Sequence, residues 1–240
     1  METSNPLLKR ESAFSPALAQ TEPMSLQGVI NKTGILLLLC LVTATYAWTH
    51  PALRGPLLLV GLIGGLVACL VGTFRPATSP IAAPIYALLE GFVLGAISQV
   101  IELRFPGVVL NAMLLTFGVL GLMLMLYTTR TIIVTERLMK GVLAATAAVA
   151  LVYFIDILLN MFGYHVPLIH ESGWVGIGIS LIIVGIAAFN LLVDFAVIED
   201  AVGRGSPKYM EWYCGMALLV TLVWLYLEIL RLLSKLRGRD

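Results

Sequence analysis

The feature that most constrains this chain is a series of seven long apolar runs, separated by short breaks rich in proline, glycine or charge. The runs cover residues 33–49, 56–74, 80–101, 107–129, 138–162, 173–198 and 213–233. A helix needs about 20 residues to cross the hydrocarbon core of a bilayer. Only 12% of the residues are charged, against about 25% in a soluble domain. The sequence therefore predicts an all-α integral membrane protein with seven transmembrane helices and excludes a soluble domain.

The polar start of the chain and the positions of its cations predict domain organisation and orientation. Residues 1–25 are rich in serine and proline and are predicted to be a mobile tail, with residues 26–240 as the seven-helix transmembrane domain. Lys and Arg accumulate on the cytoplasmic side of membrane proteins. A cytoplasmic N-terminus, with no signal peptide, leaves only Arg54 and Arg104 in the outer loops. The cations placed inside are Lys9, Arg10, Lys32, Arg75, Arg130, Arg137, Lys140, Arg204 and Lys208.

The C-terminal cations conflict with this orientation. Seven crossings place Arg231, Lys235, Arg237 and Arg239 outside, against the positive-inside rule. Two explanations remain open: the last segment re-enters the membrane and returns, or the short tail is carried across despite its charge. Seven crossings are the favoured interpretation.

Glycines at four-residue spacing predict close helix packing. The second run contains Gly61 and Gly65, and the third contains Gly91 and Gly95. Small residues at this spacing allow the backbones of membrane helices to approach each other closely. The pattern is explained by packing alone and indicates no transport role.

Four carboxylates lie within the apolar runs: Glu90, Asp156, Asp194 and Glu228. A charge at the bilayer centre costs about 2.5–3.5 kcal/mol on insertion scales, so such residues usually face the bundle interior and mark ion or proton paths. Asn190 precedes Asp194 by one helical turn on the same face. Ionised carboxylates would suit a hard cation such as Ca²⁺.

Each acid also has a structural interpretation. Basic residues occur only at the ends of the runs, so the four acids are expected to lack a matching set of cations. Glu228 nevertheless precedes Arg231 by three residues and could pair with it. Asp156 and Asp194 could instead reach the nearer membrane surface. Glu90 is the hardest to explain structurally, because it lies halfway through its run.

Several stretches resemble the Bax inhibitor-1 family, also called the transmembrane Bax inhibitor motif family. They are LLEGFVLGAIS at 88–98, FNLLVDFAVIED at 189–200 and VWLYLEILRLLSKL at 223–236. The stretches INKTGILLLLCLVTATYAW at 30–48 and SPKYMEWYCGMALLVTLVWLYLEILRLL at 206–233 resemble its bacterial branch. The combination and order of these stretches carry the resemblance, which covers all seven runs.

The resemblance implies a seven-helix fold with helix seven central, and a pH-sensitive calcium leak in a bacterial inner membrane. Its pH sensor would be a carboxylate pair, Asp194 and Glu228, which would also be candidate calcium ligands. Glu228 departs from the family pattern, since YLE stands where YLD is common. Glu90 would belong to the permeation path, to which we also assign Asp156 and Asn190.

Two details of the sensor remain open at this level. The limits of the apolar runs place Asp194 and Glu228 about 20 Å apart in depth, at 1.5 Å per residue. A shared proton would require helix seven to lie lower than these limits indicate. For the family's arginine latch, Arg75 and Arg130 are the candidates at the cytoplasmic helix ends.

Two other classes of function are weighed against the leak. A regulatory protein that binds a membrane protease or another membrane partner, without conducting ions, would use the polar tail and a methionine-rich fourth run. An enzyme is not expected, because His165, His170 and Glu171 form no HExxH motif. Cys40, Cys69 and Cys214 lack metal-ligand spacing and are interpreted as packing residues, which free cysteines commonly are. No cofactor and no nucleic-acid partner is expected. The expected partners are the lipid bilayer, calcium and protons.

Overall fold

The structure, a computed structural model, describes residues 22–162 and 173–238. Within them the long helices are α1 (Leu26–Thr49), α2 (Arg54–Phe74), α3 (Ser79–Arg104), α4 (Val108–Thr128), α5 (Glu136–Met161), α6 (Trp174–Gly203) and α7 (Met210–Arg237). Single 3₁₀ turns at Pro51–Leu53 and Pro76–Thr78 precede α2 and α3. All seven helices are long and apolar enough to cross a membrane. The predicted all-α membrane fold is confirmed.

Several helices extend beyond the apolar runs. α1 begins at Leu26, because the Ser25 hydroxyl accepts a hydrogen bond from the backbone N–H of Gly28 at 3.0 Å, an N-cap that satisfies one of the free donors of the first turn. α6 runs to Gly203. α7 is continuous from Met210 to Arg237, so a last segment that re-enters and returns is ruled out.

Two predictions fall on residues outside the described ranges. The mobile tail was predicted for residues 1–25, of which only 22–25 are described. His165, His170 and Glu171 of the enzyme alternative also lie outside. We call the side of the bundle on which α1 begins the N side, and the opposite side, on which α7 ends, the C side.

α7 contributes to both parts of the buried core. It packs against α1, α3, α4 and α6. One cluster joins its Leu222, Leu225 and Ile229 to residues of α4 and α6, and the other joins its Met216 and Leu219 to residues of α1 and α3. A displacement of α7 would therefore disturb both clusters. That helix seven is the centre of the bundle stays a prediction.

The glycine pairs lie where helices approach most closely. A Cβ added to Gly95 would overlap the carbonyl oxygen of Ala44 in α1, and one added to Gly91 would overlap Thr43 and Cys40. The predicted role in close packing is confirmed for α1 and α3.

The turn from α3 to α4 is held by a carboxylate. Gly107 adopts a φ of 83°, a conformation that favours glycine. The Glu102 carboxylate accepts hydrogen bonds from the backbone N–H groups of Gly107 at 2.6 Å and Val109 at 3.1 Å. A negative charge at a helix N-terminus is favourable because it satisfies free donors there. Glu102 thereby fixes the start of α4.

Candidate functional site: the intramembrane carboxylates

Asp194 joins α6 to α7. Its carboxylate oxygen accepts a hydrogen bond of 2.6 Å from the hydroxyl of Thr221, in the middle of α7. The side chain is half-buried, and among the described residues no cation forms an ion pair with it. Asp194 is therefore an acid inside a spanning helix whose described partner is a neutral hydroxyl.

Glu228 lies in a different electrostatic environment. It is only 2% exposed, and it accepts a hydrogen bond of 2.8 Å from the Tyr153 hydroxyl of α5. The Arg231 guanidinium approaches the same carboxylate at 3.2 Å, contacts the Tyr153 hydroxyl and stacks over the Tyr153 ring at 4.8 Å. Residues three apart on a helix are neighbours. The expectation that all four acids lack cations is thus wrong for Glu228, and its pairing with Arg231 is confirmed.

A second cation of the C-terminal segment is also used inside the bundle. Lys235 is buried, and its ammonium group donates to the carbonyl oxygen of Gly176 at 3.0 Å and to the hydroxyl of Ser180 at 2.9 Å, both in α6. Arg231 and Lys235 therefore bind within the bundle instead of acting as loop charges. This removes part of the conflict with the positive-inside rule.

Asp194 and Glu228 lie at different levels of α7. Glu228 follows Thr221, the partner of Asp194, by seven residues, which is about 10 Å along the helix axis. The separation is smaller than the 20 Å expected, because α6 continues to Gly203 and places Asp194 farther from its helix end. In this conformation each acid has its own hydrogen-bond partner and the two share none.

Glu90 lies apart from the other acids, among α1, α2 and α3. Its carboxylate lies against Gly65 of α2, where an added Cβ would be 3.5 Å from the oxygen. The thiols of Cys40 and Cys69 and the phenol of Tyr86 are near enough to interact with its charge. The described ranges contain no hydrogen bond or ion pair to Glu90, so it too lacks a cation there.

Asp156 and Asn190 line the contacts of α5. Asp156 is 8% exposed and shares a face of α5 with Tyr153, three residues earlier. The Asn190 amide donates to the hydroxyl of Thr146 in α5 at 2.7 Å and to the carbonyl oxygen of Ile186 at 2.9 Å. Asn190 therefore links α6 to α5, whereas Asp194, one turn later, links α6 to α7.

Within the described ranges, neither Arg75 nor Arg130 forms an ion pair with Asp194, and no metal cluster completes the site. Arg130 pairs with the exposed Glu199 of α6 at 3.1 Å, not with Asp194. The described residues hold no group of three or more His, Cys, Asp or Glu side chains that could bind a metal ion. Calcium binding by Asp194 and Glu228 stays a prediction.

Sequence reasoning missed a buried acid on the N side. Glu211, at the start of α7, is 2% exposed. It pairs with Lys32 of α1 at 2.9 Å and accepts hydrogen bonds from the backbone N–H of Ser25 at 3.0 Å and from its hydroxyl at 3.1 Å. A Cβ on Gly28 would overlap the carboxylate. We call these four residues, Ser25, Gly28, Lys32 and Glu211, the N-side clamp.

The chain preceding α1 continues this attachment. The Met24 N–H donates to the Ser206 carbonyl at 2.8 Å, and Pro23 and Pro207 form an isolated antiparallel bridge. Lys208 pairs with Glu22, and its hydrogen bond and charge lower the pKa of Glu22 from its ordinary value. Segment 22–25 is thereby tied to the α6–α7 connection, beside the start of α7.

The comparisons with known proteins give a family and no closer relative. The Bax inhibitor 1 like family matches residues 5–238, nearly the whole chain. No curated protein and no solved structure matches. The match covers all seven helices and every carboxylate described above, which confirms the family resemblance of the sequence. The chain belongs to the Bax inhibitor 1 like family.

Proposed function

We propose that this protein is a pH-sensitive calcium leak channel of the bacterial inner membrane, gated by Asp194 and Glu228 between α6 and α7, with a cytoplasmic N-terminus. The observation that carries the proposal is the Asp194 carboxylate, which lies within a spanning helix, faces α7 through Thr221 and has no cation among its described contacts. The leak requires no cofactor and no catalytic residue.

The pH response follows from the two protonation states of Asp194. When protonated, the group is neutral and is compatible with the packed α6–α7 contact. When ionised, it carries a charge that is costly within hydrocarbon, and the Thr221 hydroxyl supplies only one hydrogen bond to it. Water or a cation entering between α6 and α7 stabilises this charge, and Ca²⁺ prefers oxygen ligands. Calcium flux is therefore expected to rise with pH.

Glu228 forms the second point of the gate in this proposal. Its charge is already balanced by Arg231 and Tyr153, so a permeating cation must compete with Arg231 for the carboxylate. Asp194 contacts α7 at Thr221, and Glu228 belongs to α7 about two turns later. The two acids therefore act on α7 together without sharing a proton in the described conformation. Asp156 and Asn190 extend the proposed path along α5 and α6, and Glu90 provides an acid on the opposite part of the bundle.

Calcium entry into vesicles tests the assignment of these residues. The variants Asp194→Asn, Glu228→Gln and Glu90→Gln are reconstituted with an enclosed calcium dye. Asp194→Asn should hold the flux above neutral pH at the low level that the unchanged protein shows in acid, because a neutral amide cannot ionise. Asp200→Asn is the matched control, since Asp200 lies on the same helix but is exposed and paired with Arg204. Unchanged flux in all three variants would contradict the proposal.

The alternative function is binding of a membrane protease or another membrane partner without ion conduction. The contact of segment 22–25 with the α6–α7 connection favours it, because a partner that holds the N-terminal tail would act close to the start of α7. Deleting residues 1–21 distinguishes the two functions. A leak keeps its calcium flux after the deletion, whereas a protein that acts by binding a partner through its tail shows no flux and loses capture of that partner.

A further inference from the structure

A long groove lies between α1 and α4, with α3 and α7 as its floor. Its volume is about 770 Å³, and all of its lining residues belong to four of the spanning helices. Apolar side chains form most of the wall, among them Leu37, Leu41, Trp48, Met113, Phe117 and Leu222. The groove therefore opens within the hydrocarbon region of the membrane and not into water.

The hydroxyl groups in this groove are already bonded within the protein. Thr45 donates to the Leu41 carbonyl at 2.8 Å and Thr116 donates to the Ala112 carbonyl at 2.7 Å. Ser98 and Tyr226 bind each other across the floor at 2.7 Å. A polar ligand would have to give up hydrogen bonds to water, and the Thr45 and Thr116 hydroxyls already donate to backbone carbonyls. The lining selects for a hydrocarbon.

The groove is long enough to hold one lipid chain, because its length exceeds the depth of one leaflet. On α1 the lining runs from Gly34 to Trp48, which spans about 21 Å at 1.5 Å per residue. One leaflet contributes about half of the ~30 Å hydrocarbon core. Trp48 marks the C-side end, and tryptophan is enriched where a membrane meets water. A chain entering from the C-side leaflet would run along α1 toward Gly34.

We propose that this groove is a binding site for one acyl chain of a membrane lipid from the C-side leaflet. The chain fills the space between α1 and α4 and covers the apolar surface that α3 and α7 present there. Leu219, Leu222 and Tyr226 line the groove, so the bound chain contacts α7, the helix that also contains Glu228.

Native mass spectrometry of the purified full-length protein tests this site. Thr45 lines the groove and is exposed, so Thr45→Phe fills the groove without entering the packed core. Val42→Phe is the control, because Val42 lies on the same helix, is 66% exposed and does not line the groove. The expected result is one retained lipid in the unchanged protein and in Val42→Phe, and a several-fold smaller lipid-bound fraction in Thr45→Phe.

Three outcomes overturn the proposal: no retained lipid in the unchanged protein, equal loss in both variants, or a dimer that only Thr45→Phe dissociates. The last would assign the groove to a second copy of this chain.

A fluorescence measurement tests the site with the groove intact. Replacing Trp174, Trp212 and Trp224 by phenylalanine leaves Trp48 as the only tryptophan of the chain. The protein is placed in excess detergent with a small proportion of phosphatidylcholine that is brominated on its acyl chains. A bound chain should quench Trp48 fluorescence more strongly than expected from the low average concentration of brominated lipid in the detergent. The comparison variant carries Trp48→Phe as well and has its single tryptophan at the lipid-exposed position of Val42. Quenching of Trp48 no greater than in that variant overturns the proposal.

Discussion

Replacing Gly95 with alanine is expected to destabilise the protein by about 1–3 kcal/mol or more, as excess volume in a packed interior does. The added Cβ would overlap the carbonyl oxygen and the Cα of Ala44. These are backbone atoms of α1, so no side chain can rotate away to make room. The two helices would have to separate, which loses contact along the whole of their interface. A lowered thermal unfolding midpoint in detergent measures the effect.

Gly118→Ala provides the matched control for Gly95. Gly118 lies inside α4, and an added Cβ would meet nothing within 4 Å apart from the adjacent backbone of its own helix. Glycine within a helix is less favourable than alanine by roughly 0.5–1 kcal/mol, so this variant should be neutral or slightly more stable. Equal destabilisation by the two substitutions would show that the close approach of α1 and α3 is not what Gly95 provides.

Glu211→Ala is expected to cost about 3 kcal/mol, the lower end for breaking a buried ion pair. Removal of the carboxylate leaves the Lys32 ammonium without its partner and frees two hydrogen-bond donors of Ser25. Lys32 keeps 23% of its side-chain surface exposed, which limits the cost. The free energy of unfolding in detergent should fall accordingly.

A double-mutant cycle separates the interaction energy between Glu211 and Lys32 from the effect of losing either side chain alone. The variants Glu211→Ala, Lys32→Ala and their combination should show a coupling energy above about 1 kcal/mol, since contacting residues do not act additively. The exposed pair Glu136 and Lys140, at 3.3 Å on α5, is the control and should couple by less than about 1 kcal/mol. Equal coupling in the two pairs would contradict the buried role of Glu211.

The seven helices could be predicted from the sequence because hydropathy reports directly on the solvent around a helix. The role of Gly91 and Gly95 also followed from spacing alone, since helices in lipid pack through small residues. The pairing of Glu228 with Arg231 was accessible as a local contact, because both residues lie within one turn of α7. Each of these features depends on a single helix or on its immediate neighbour.

The remaining contacts depend on how helices are rotated and offset against each other. Thr221 becomes the partner of Asp194 only because α6 and α7 extend past their apolar runs and meet at that level. Lys32 and Glu211 lie just before the first and seventh apolar runs, which begin at residues 33 and 213, because a hydropathy criterion leaves out the polar first turn of a helix. The available signal was a Ser25 N-cap before α1 and an acid at the start of α7.

The rate of calcium entry into vesicles that contain the unchanged protein, measured as pH is raised from acidic to alkaline, tests the proposed leak most directly. Protein-free vesicles of the same lipid composition give the background. If Asp194 and Glu228 gate a calcium leak, entry should stay near the background in acid and rise well above it as the carboxylates ionise. Entry that never exceeds the background, or that does not change with pH, would contradict a pH-gated leak.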